Sequence, residues 1–185
     1  MSTKQLEKFS TKVEIPENVK ASFKSSMLNV EGPLGKTYKN FRKIPVDIEI
    51  NDNMVLLKAR GTRNSSYAIM NTARSIIRNL FEGVVDGYTI KMKVVFSHFP
   101  INVKIDGKQV LIENFQGERA PRVTKIWGET KVVPKGDDVI ITGHVLTDVS
   151  QTAAEIENGS RVKNKDHRVF LDGIYKFEKK KGIEK

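Results

Sequence analysis

The chain has 185 residues, of which 38% are hydrophobic, so it can bury real cores and is long enough for two small domains. It contains 32 Lys and Arg against 22 Asp and Glu, and the resulting formal net charge of +10 favours a polyanionic partner, because binding releases condensed counterions. It contains no cysteine, which excludes disulfides, thiolate catalysis and cysteine-based zinc sites.

Other features of the sequence argue against membrane and metal proteins. No stretch approaches the roughly 18 consecutive apolar residues of a membrane span, and the first eight residues lack the apolar core of a secretory signal. The three histidines, His98, His144 and His167, lie far apart without metal-ligand spacing. We therefore expect a soluble, intracellular protein with no metal or other cofactor, no membrane partner and no small-molecule substrate.

The sequence is internally repeated, with an offset of about 84 to 86 residues. Four segments recur in the same order: 15–20 as 99–104, 30–32 as 115–117, 53–57 as 138–142 and 85–87 as 171–173. A chance origin for four ordered matches is hard to accept. We predict a first repeat in residues 10–90, a second repeat in residues 91–177 and a basic C-terminal tail in residues 178–185.

The first half predicts several strands followed by one helix. Short strands are expected at 11–15, 19–23 and 27–31, and a hairpin at 46–57 with its turn at 51–53. The spacing of Met70, Ala73 and Ile77 then predicts a helix, which a side chain in 64–66 can cap and Gly83 can end.

The second half follows the same order. Strands are expected at 109–115, 130–133 and 139–142, and a helix from Val149 that Thr147 or Asp148 can cap and residues 158–160 can end. Runs of strands with one helix per half indicate the α+β class: two tandem copies of a small antiparallel sheet with one packed helix. A strand in residues 89–96 is expected to cross between the two domains.

Candidate enzymatic motifs are weak. Gly32, followed by Pro33 and Gly35-Lys36, superficially resembles a phosphate-binding loop, but the four-residue spacing is absent, so a sharp turn is the better interpretation. The adjacent carboxylates of Asp137 and Asp138 are expected to point apart, and no serine or histidine has an evident catalytic partner. We therefore expect no enzyme activity.

Basic residues gather after position 160. Arginine can donate two parallel hydrogen bonds to phosphate oxygens, and lysine acts as a point charge. These residues are therefore candidates for contact with nucleic acid phosphates. The alternative is a solvated, basic chain end. Among the nearby aromatic residues, Phe170 is expected in the core, whereas Trp127 either covers a base or caps the sheet.

Residues 30–35 and 161–175 resemble the family of universal large-subunit ribosomal protein number six, called nine in eukaryotes. The likeness covers nearly the whole chain, including the duplication, and its specific part lies in residues 163–166 and 170–175. It is closest to the archaeal and eukaryotic branch, because the bacterial terminal motif Tyr-Lys-Gly-Lys-Gly is missing after Tyr175.

The resemblance implies a non-catalytic structural constituent of the large ribosomal subunit, in the cytoplasm. It implies binding to large-subunit rRNA near the sarcin–ricin loop and the elongation-factor site, mainly through the second domain, with neighbouring ribosomal proteins and translational GTPases nearby. Lys163, Lys165 and Arg168 match the family's motif and are the foremost candidates for rRNA contact. The full candidate set is Arg161, Lys163, Lys165, Arg168, Tyr175, Lys176, Lys179, Lys180 and Lys181.

Two other interpretations remain open from the sequence. The same basic surface could serve a free-standing RNA- or DNA-binding regulator. A nuclease is a third candidate, and it would need a cluster of carboxylates around a divalent ion.

Overall fold

The chain divides into two units between Val85 and Asp86 in a computed structural model that describes residues 9–51, 53–97, 99–166 and 168–183. Residues 1–8, Asp52 of the predicted turn, His98, His167 and the last two residues of the predicted tail lie outside the described part, so expectations about them stay predictions. Each unit has its own hydrophobic core.

The first unit consists of six strands and a helix within the described residues. The strands form two three-stranded antiparallel sheets, with the orders β1-β6-β5 and β2-β3-β4. The elements are β1 (Ser10–Glu14), β2 (Lys20–Lys24), β3 (Met27–Gly32), β4 (Gly35–Asn40), β5 (Val46–Asn51), β6 (Met54–Ala59) and helix α1 (Asn64–Val85).

The second unit repeats this plan and adds one strand. Its sheets have the orders β10-β9-β8 and β11-β12-β7-β13, again antiparallel. The elements are β7 (Tyr88–Val95), β8 (Asn102–Asp106), β9 (Gln109–Glu113), β10 (Arg122–Lys125), β11 (Lys131–Lys135), β12 (Asp138–Gly143), helix α2 (Leu146–Gly159) and β13 (Gly173–Lys181). A short 3-10 turn at Phe115–Gly117 precedes β10.

The two sheet orders confirm the predicted duplication and the α+β class. The order β1-β6-β5 corresponds strand for strand to β7-β12-β11, and β2-β3-β4 corresponds to β8-β9-β10. Strand β13 pairs with the outer edge of β7, and it has no counterpart among the described residues of the first unit. The second unit is therefore the repeat plus one added edge strand.

The register of one repeated segment differs from the prediction by one residue. The sequence match paired Asn53 with Asp138, but in the structure Met54 occupies the position of Asp138, directly after the hairpin turn. Val55 and Val139 are then equivalent, and both are fully buried. The difference matters because a slip of one residue moves every side chain of a strand to the other face.

The strand predicted to cross between the domains belongs to the second unit alone. This strand is β7, and its residues Ile90, Met92 and Val94 are buried in the second core. Residues 178–181, assigned to a tail from their charge, form the second half of β13. They remain in the sheet because their backbone groups pair with residues 88–91 of β7.

Helix α1 continues through Gly83, which was expected to end it, and stops at Val85. Val84 is completely buried against the β3–β4 turn: a Cβ atom on Gly32 would lie only 2.7 Å from its Cγ2. Leu34 N–H donates to the Val84 carbonyl at 3.0 Å. The predicted sharp turn at Pro33 is confirmed, and its packing onto the helix explains why the last turn of α1 persists.

Helix α2 begins earlier than predicted. Its first residue is Leu146, its N-cap is Val145 without a side-chain hydrogen bond, and both predicted caps, Thr147 and Asp148, lie inside the first turn. The negative charge of Asp148 there still complements the helix dipole. The predicted end near 158–160 is confirmed, since the helix stops at Gly159.

Candidate nucleic-acid interface

Within the segment that carries the resemblance, the described residues of 161–172 (161–166 and 168–172) belong to a loop whose two ends are tied together. Ser160, at the end of α2, is 1% exposed. Its Oγ donates to the Glu157 carbonyl at 3.2 Å and accepts from the Ile174 N–H at 2.9 Å. One buried hydroxyl therefore joins the end of the helix to the start of β13, and the loop between them closes like an Ω-loop.

Arg122 of β10 holds the first part of this loop. Its Nη1 donates to the carbonyls of Gly159 at 3.0 Å and Arg161 at 2.8 Å. Its Nε and Nη2 donate to the two carboxylate oxygens of Glu118 at 2.8 and 2.5 Å. The guanidinium carbon also lies 4.0 Å from the centroid of the Phe115 ring. Arg122 is thus a positioning residue, since its donors are used inside the protein.

Asp172 holds the last part of the loop. Its carboxylate accepts hydrogen bonds from Ser97 N–H at 2.7 Å and from Gln116 Nε2 at 3.4 Å. The hydroxyl of Tyr175 donates to the carbonyls of Leu171 at 3.3 Å and Asp172 at 3.4 Å. Tyr175, a predicted RNA contact, therefore uses its hydroxyl on the loop, while its side chain stays 43% exposed.

The middle of the loop is shaped by Asp166. Its carboxylate accepts from Arg168 N–H at 2.9 Å and from Arg168 Nη2 at 3.1 Å, and its carbonyl accepts from Val169 N–H at 3.1 Å and Phe170 N–H at 3.0 Å. The ammonium of Lys165 lies 4.7 Å from the centroid of the Phe170 ring. These contacts lie within the loop itself and fix the shape of its backbone.

The structure brings four of the nine predicted contact residues together on this loop: Arg161, Lys163, Lys165 and Arg168, all exposed. Arg168 is paired with Asp166, but its side chain is 90% exposed, and exposed ion pairs contribute little stability. This arginine can therefore exchange a carboxylate for a phosphate at small cost.

The lysines of β13 are divided between two sides of the sheet. Lys176 forms an ion pair with Glu157 of α2 at 3.2 Å, so it lies on the side of the sheet that faces the helix. Lys179 and Lys181 lie on this side as well, because they pair with Ile90 and Tyr88, which lie at every second position along β7 from the partner of Lys176. Lys180 lies on the other side, where it pairs with Glu178 at 3.0 Å. The four lysines do not form one patch, which their sequence proximity could not show.

The loop also exposes apolar side chains that sequence reasoning missed. Val169 is 69% exposed, Leu171 58% and Phe170 39%. The expectation that Phe170 fills the core is wrong, because its ring lies at the surface beneath Lys165. Phe96 and Phe99, in the neighbouring segment held by Asp172, are exposed as well. Clustered apolar exposure next to cations is typical of an interaction surface.

The cations of this region lower the pKa of one carboxyl group, that of Glu118. The hydrogen bond from Arg122 is the largest cause that lowers the pKa of Glu118 below its ordinary value of 4.5, and the charges of Arg122, Lys163 and Lys165 add to it against the opposing effect of burial. Lys163 and Lys165 therefore lie close enough to Glu118 for an electrostatic interaction with its carboxylate.

We expect Glu118→Gln to remove an acid-sensitive part of the second unit's stability. Because the pKa is lowered by folding, the ionised Glu118 stabilises the native state above the unfolded pKa, and this contribution is lost as the pH falls below 4.5 through the lowered folded pKa. Urea unfolding from neutral pH to acid pH should therefore show the difference between wild type and variant shrinking in that range.

A matched control for this experiment is Glu129→Gln, at an exposed position of the same unit. This variant should follow the wild-type pH profile. A Glu118→Gln difference that stays constant from neutral to acid pH would contradict the assigned role of the carboxylate.

The described residues contain neither a candidate metal-binding group nor a candidate membrane-spanning helix. No group of three or more His, Asp or Glu side chains there is placed to hold a metal ion. No described helix is both long enough and apolar enough to cross a bilayer. His144 is buried in the second unit.

Comparison with known proteins identifies the family. The family described as Ribosomal protein L6 matches residues 99–173. Large ribosomal subunit protein uL6 of Methanosarcina mazei is 40% identical over 167 residues, which cover 90% of this chain and 95% of that protein. The proteins of the same name from Methanobrevibacter smithii and Desulfurococcus amylolyticus are 42% and 43% identical over 90% and 91% of this chain, and 94% and 93% of their own lengths. These matches are to archaeal proteins and confirm the predicted resemblance, and the chain belongs to the uL6 family of large ribosomal subunit proteins.

Proposed function

We propose that this chain is a non-catalytic structural constituent of the large ribosomal subunit that binds rRNA through the second unit. The observation that carries the proposal is the ordered 161–172 loop, which displays Lys163, Lys165 and Arg168 at its surface. The proposed place is near the sarcin–ricin loop and the elongation-factor site, with translational GTPases and other ribosomal proteins as neighbours.

The mechanism follows from the geometry of the loop. Lysine and arginine side chains neutralise phosphates and release counterions, which supplies affinity without reading base sequence. Folded rRNA is recognised mainly by shape, through its backbone and 2′-hydroxyl groups. Because Arg122, Ser160 and Asp172 hold the loop in advance, little conformational entropy is lost when it binds.

The exposed apolar side chains complement this electrostatic attraction. Val169 and Leu171 lie in the same loop as the cations and can exclude water from the contact once the phosphates have brought the surfaces together. A charged surface alone would favour any polyanion. The apolar side chains give this surface a defined shape, and a structured RNA can be complementary to that shape.

The proposal is tested with large subunits stripped of their own copy of this protein. The purified chain should co-sediment with these subunits through moderate salt, and its affinity should fall steeply as salt rises. Chemical footprinting of the rebound particle should protect rRNA near the sarcin–ricin loop. Small subunits are the control and should not retain the chain.

Failure of rebinding in dilute buffer would overturn the assignment. If the chain instead bound short RNA and DNA duplexes equally well while ignoring the stripped subunits, it would be a free-standing nucleic-acid-binding regulator. Protection of rRNA elsewhere on the subunit would keep the ribosomal role and remove the proposed location.

A further inference from the structure

The β2-β3-β4 sheet of the first unit has one buried face and one polar face. Leu28, Val30 and Thr37 are buried toward the core. The alternate residues face the opposite way, because successive side chains of a strand point to opposite sides of the sheet. Most of these are polar or charged residues, and the burial patterns of the three strands show that they are exposed.

A row of three side chains crosses the middle of the polar face. Ser22 is directly opposite Asn29, and Asn29 is directly opposite Tyr38. Such partners have Cβ atoms about 5 Å apart, so the row joins a hydroxyl, an amide and a phenol ring. Tyr38 is 68% exposed, and none of the three side chains has a hydrogen-bond partner among the described residues.

The rows on either side carry mostly positive charge. One contains Lys20, Glu31 and Lys36, and the other contains Lys24. Lys36 and Glu31 pair at 3.0 Å with exposed side chains, so this row is left with the excess charge of one lysine. Neighbouring rows on a face are about 7 Å apart, which places cations within reach of whatever covers Tyr38.

The second repeat lacks this arrangement at the equivalent positions. The matching hairpin turns place Lys104, Leu111 and Val123 where the first repeat has Ser22, Asn29 and Tyr38. That row has no aromatic ring and no amide. The common fold therefore does not require the polar row, since the same sheet is built in the second unit from an aliphatic pair.

We propose that this face of the first unit binds one unpaired nucleotide of RNA, with the base stacked on Tyr38. Aromatic rings on a sheet surface provide the flat partner that an unstacked base needs. Asn29 offers both a donor and an acceptor to the base edge, and the hydroxyl of Ser22 offers the same. Lys20 and Lys24 can neutralise the adjoining phosphates. This site extends RNA binding to the first unit and does not involve the 161–172 loop.

A protein partner fits this face less well. Protein interfaces are built around clustered, fully buried apolar side chains, and lysine is depleted there. Here Tyr38 stands among amide, hydroxyl and lysine side chains, with Met27 as the other large apolar residue of the face. A nucleotide uses each of these groups, whereas an apolar protein surface would leave most of them without partners.

The test uses the full chain carrying Lys163→Ala and Arg168→Ala, so that contacts of the second unit are reduced. A fluorescent single-stranded oligouridylate and a hairpin RNA with the same number of phosphates are the probes. Tyr38→Ala should weaken binding of the single strand by about 5- to 150-fold, the effect of losing one stacked base. Tyr38→Phe, which keeps the ring, should bind as tightly as the parent, and hairpin affinity should change little.

Val123→Ala, at the equivalent position of the second repeat, is the matched control and should leave both affinities unchanged. Photocrosslinking of the unsubstituted chain to oligouridylate containing 4-thiouridine should give an adduct on the peptide with Tyr38. Equal affinities of the Tyr38→Ala variant and its parent, or adducts confined to other peptides, would overturn the proposal. Either result is independent of whether Lys163 and Arg168 contact rRNA, so the two hypotheses fail separately.

Discussion

Replacement of Arg122 by alanine is expected to lower the free energy of unfolding of the second unit by about 2 to 4 kcal/mol, because several charge-assisted hydrogen bonds are lost from a largely buried side chain. The carbonyls of Gly159 and Arg161 lose their donor, and Glu118 loses its main partner. Urea unfolding measures this loss. Hydrogen exchange should also show faster exchange of amides in residues 161–172.

The matched control is Arg119→Ala, which removes the same charge from an exposed position just before β10. It should change stability by no more than about 0.5 kcal/mol, as is usual for surface substitutions. Arg122→Lys keeps the charge but not the planar fork, so it should recover only part of the loss. Equal effects of Arg122→Ala and Arg119→Ala would show that charge, not the bridging geometry, is what matters.

Combined replacement of Lys163 and Arg168 by alanine is expected to weaken binding to rRNA by about tenfold for each cation that contacts a phosphate. The slope of the logarithm of affinity against the logarithm of salt should fall by about one for each lost contact. The loss should be similar for rRNA fragments of different sequence, because phosphates carry no sequence information. Filter binding or anisotropy across a salt series measures both quantities.

Lys131→Ala with Lys135→Ala is the matched control for this pair. It removes the same charge from exposed positions of β11, at the opposite edge of the sheet from β13. Affinity should stay within about twofold, since distant charges are largely screened at physiological salt. If both double variants lost affinity equally, general attraction by the net charge would replace the 161–172 loop as the explanation.

Local sequence patterns predicted a large part of this fold correctly. The duplication was visible because both repeats keep turns and apolar positions in the same order, and helix α1 was visible from the spacing of Met70, Ala73 and Ile77. The hairpin of β5 and β6 was evident from alternation around its turn. These features depend on residues close together in the chain, where periodicity carries the information. The net charge of +10 likewise predicted a polyanionic partner.

Contacts between distant residues decided the rest. Strand β13 was missed because most of its side chains are charged, and its place depends on an edge of β7 about 80 residues earlier. The continuation of α1 beyond Gly83 depends on the packing of Val84 against Gly32. The surface position of Phe170 depends on a loop that is held by Arg122, Ser160 and Asp172.

The sequence by itself thus determined the repeated α+β plan, the family resemblance and the surplus of cations. Only the tertiary structure decided which cations share a surface. Lys163, Lys165 and Arg168 lie on one ordered loop, whereas the lysines of β13 are divided between two sides of a sheet. The physical reason is that strand alternation separates neighbours in sequence, while hydrogen bonds from distant elements shape the loop.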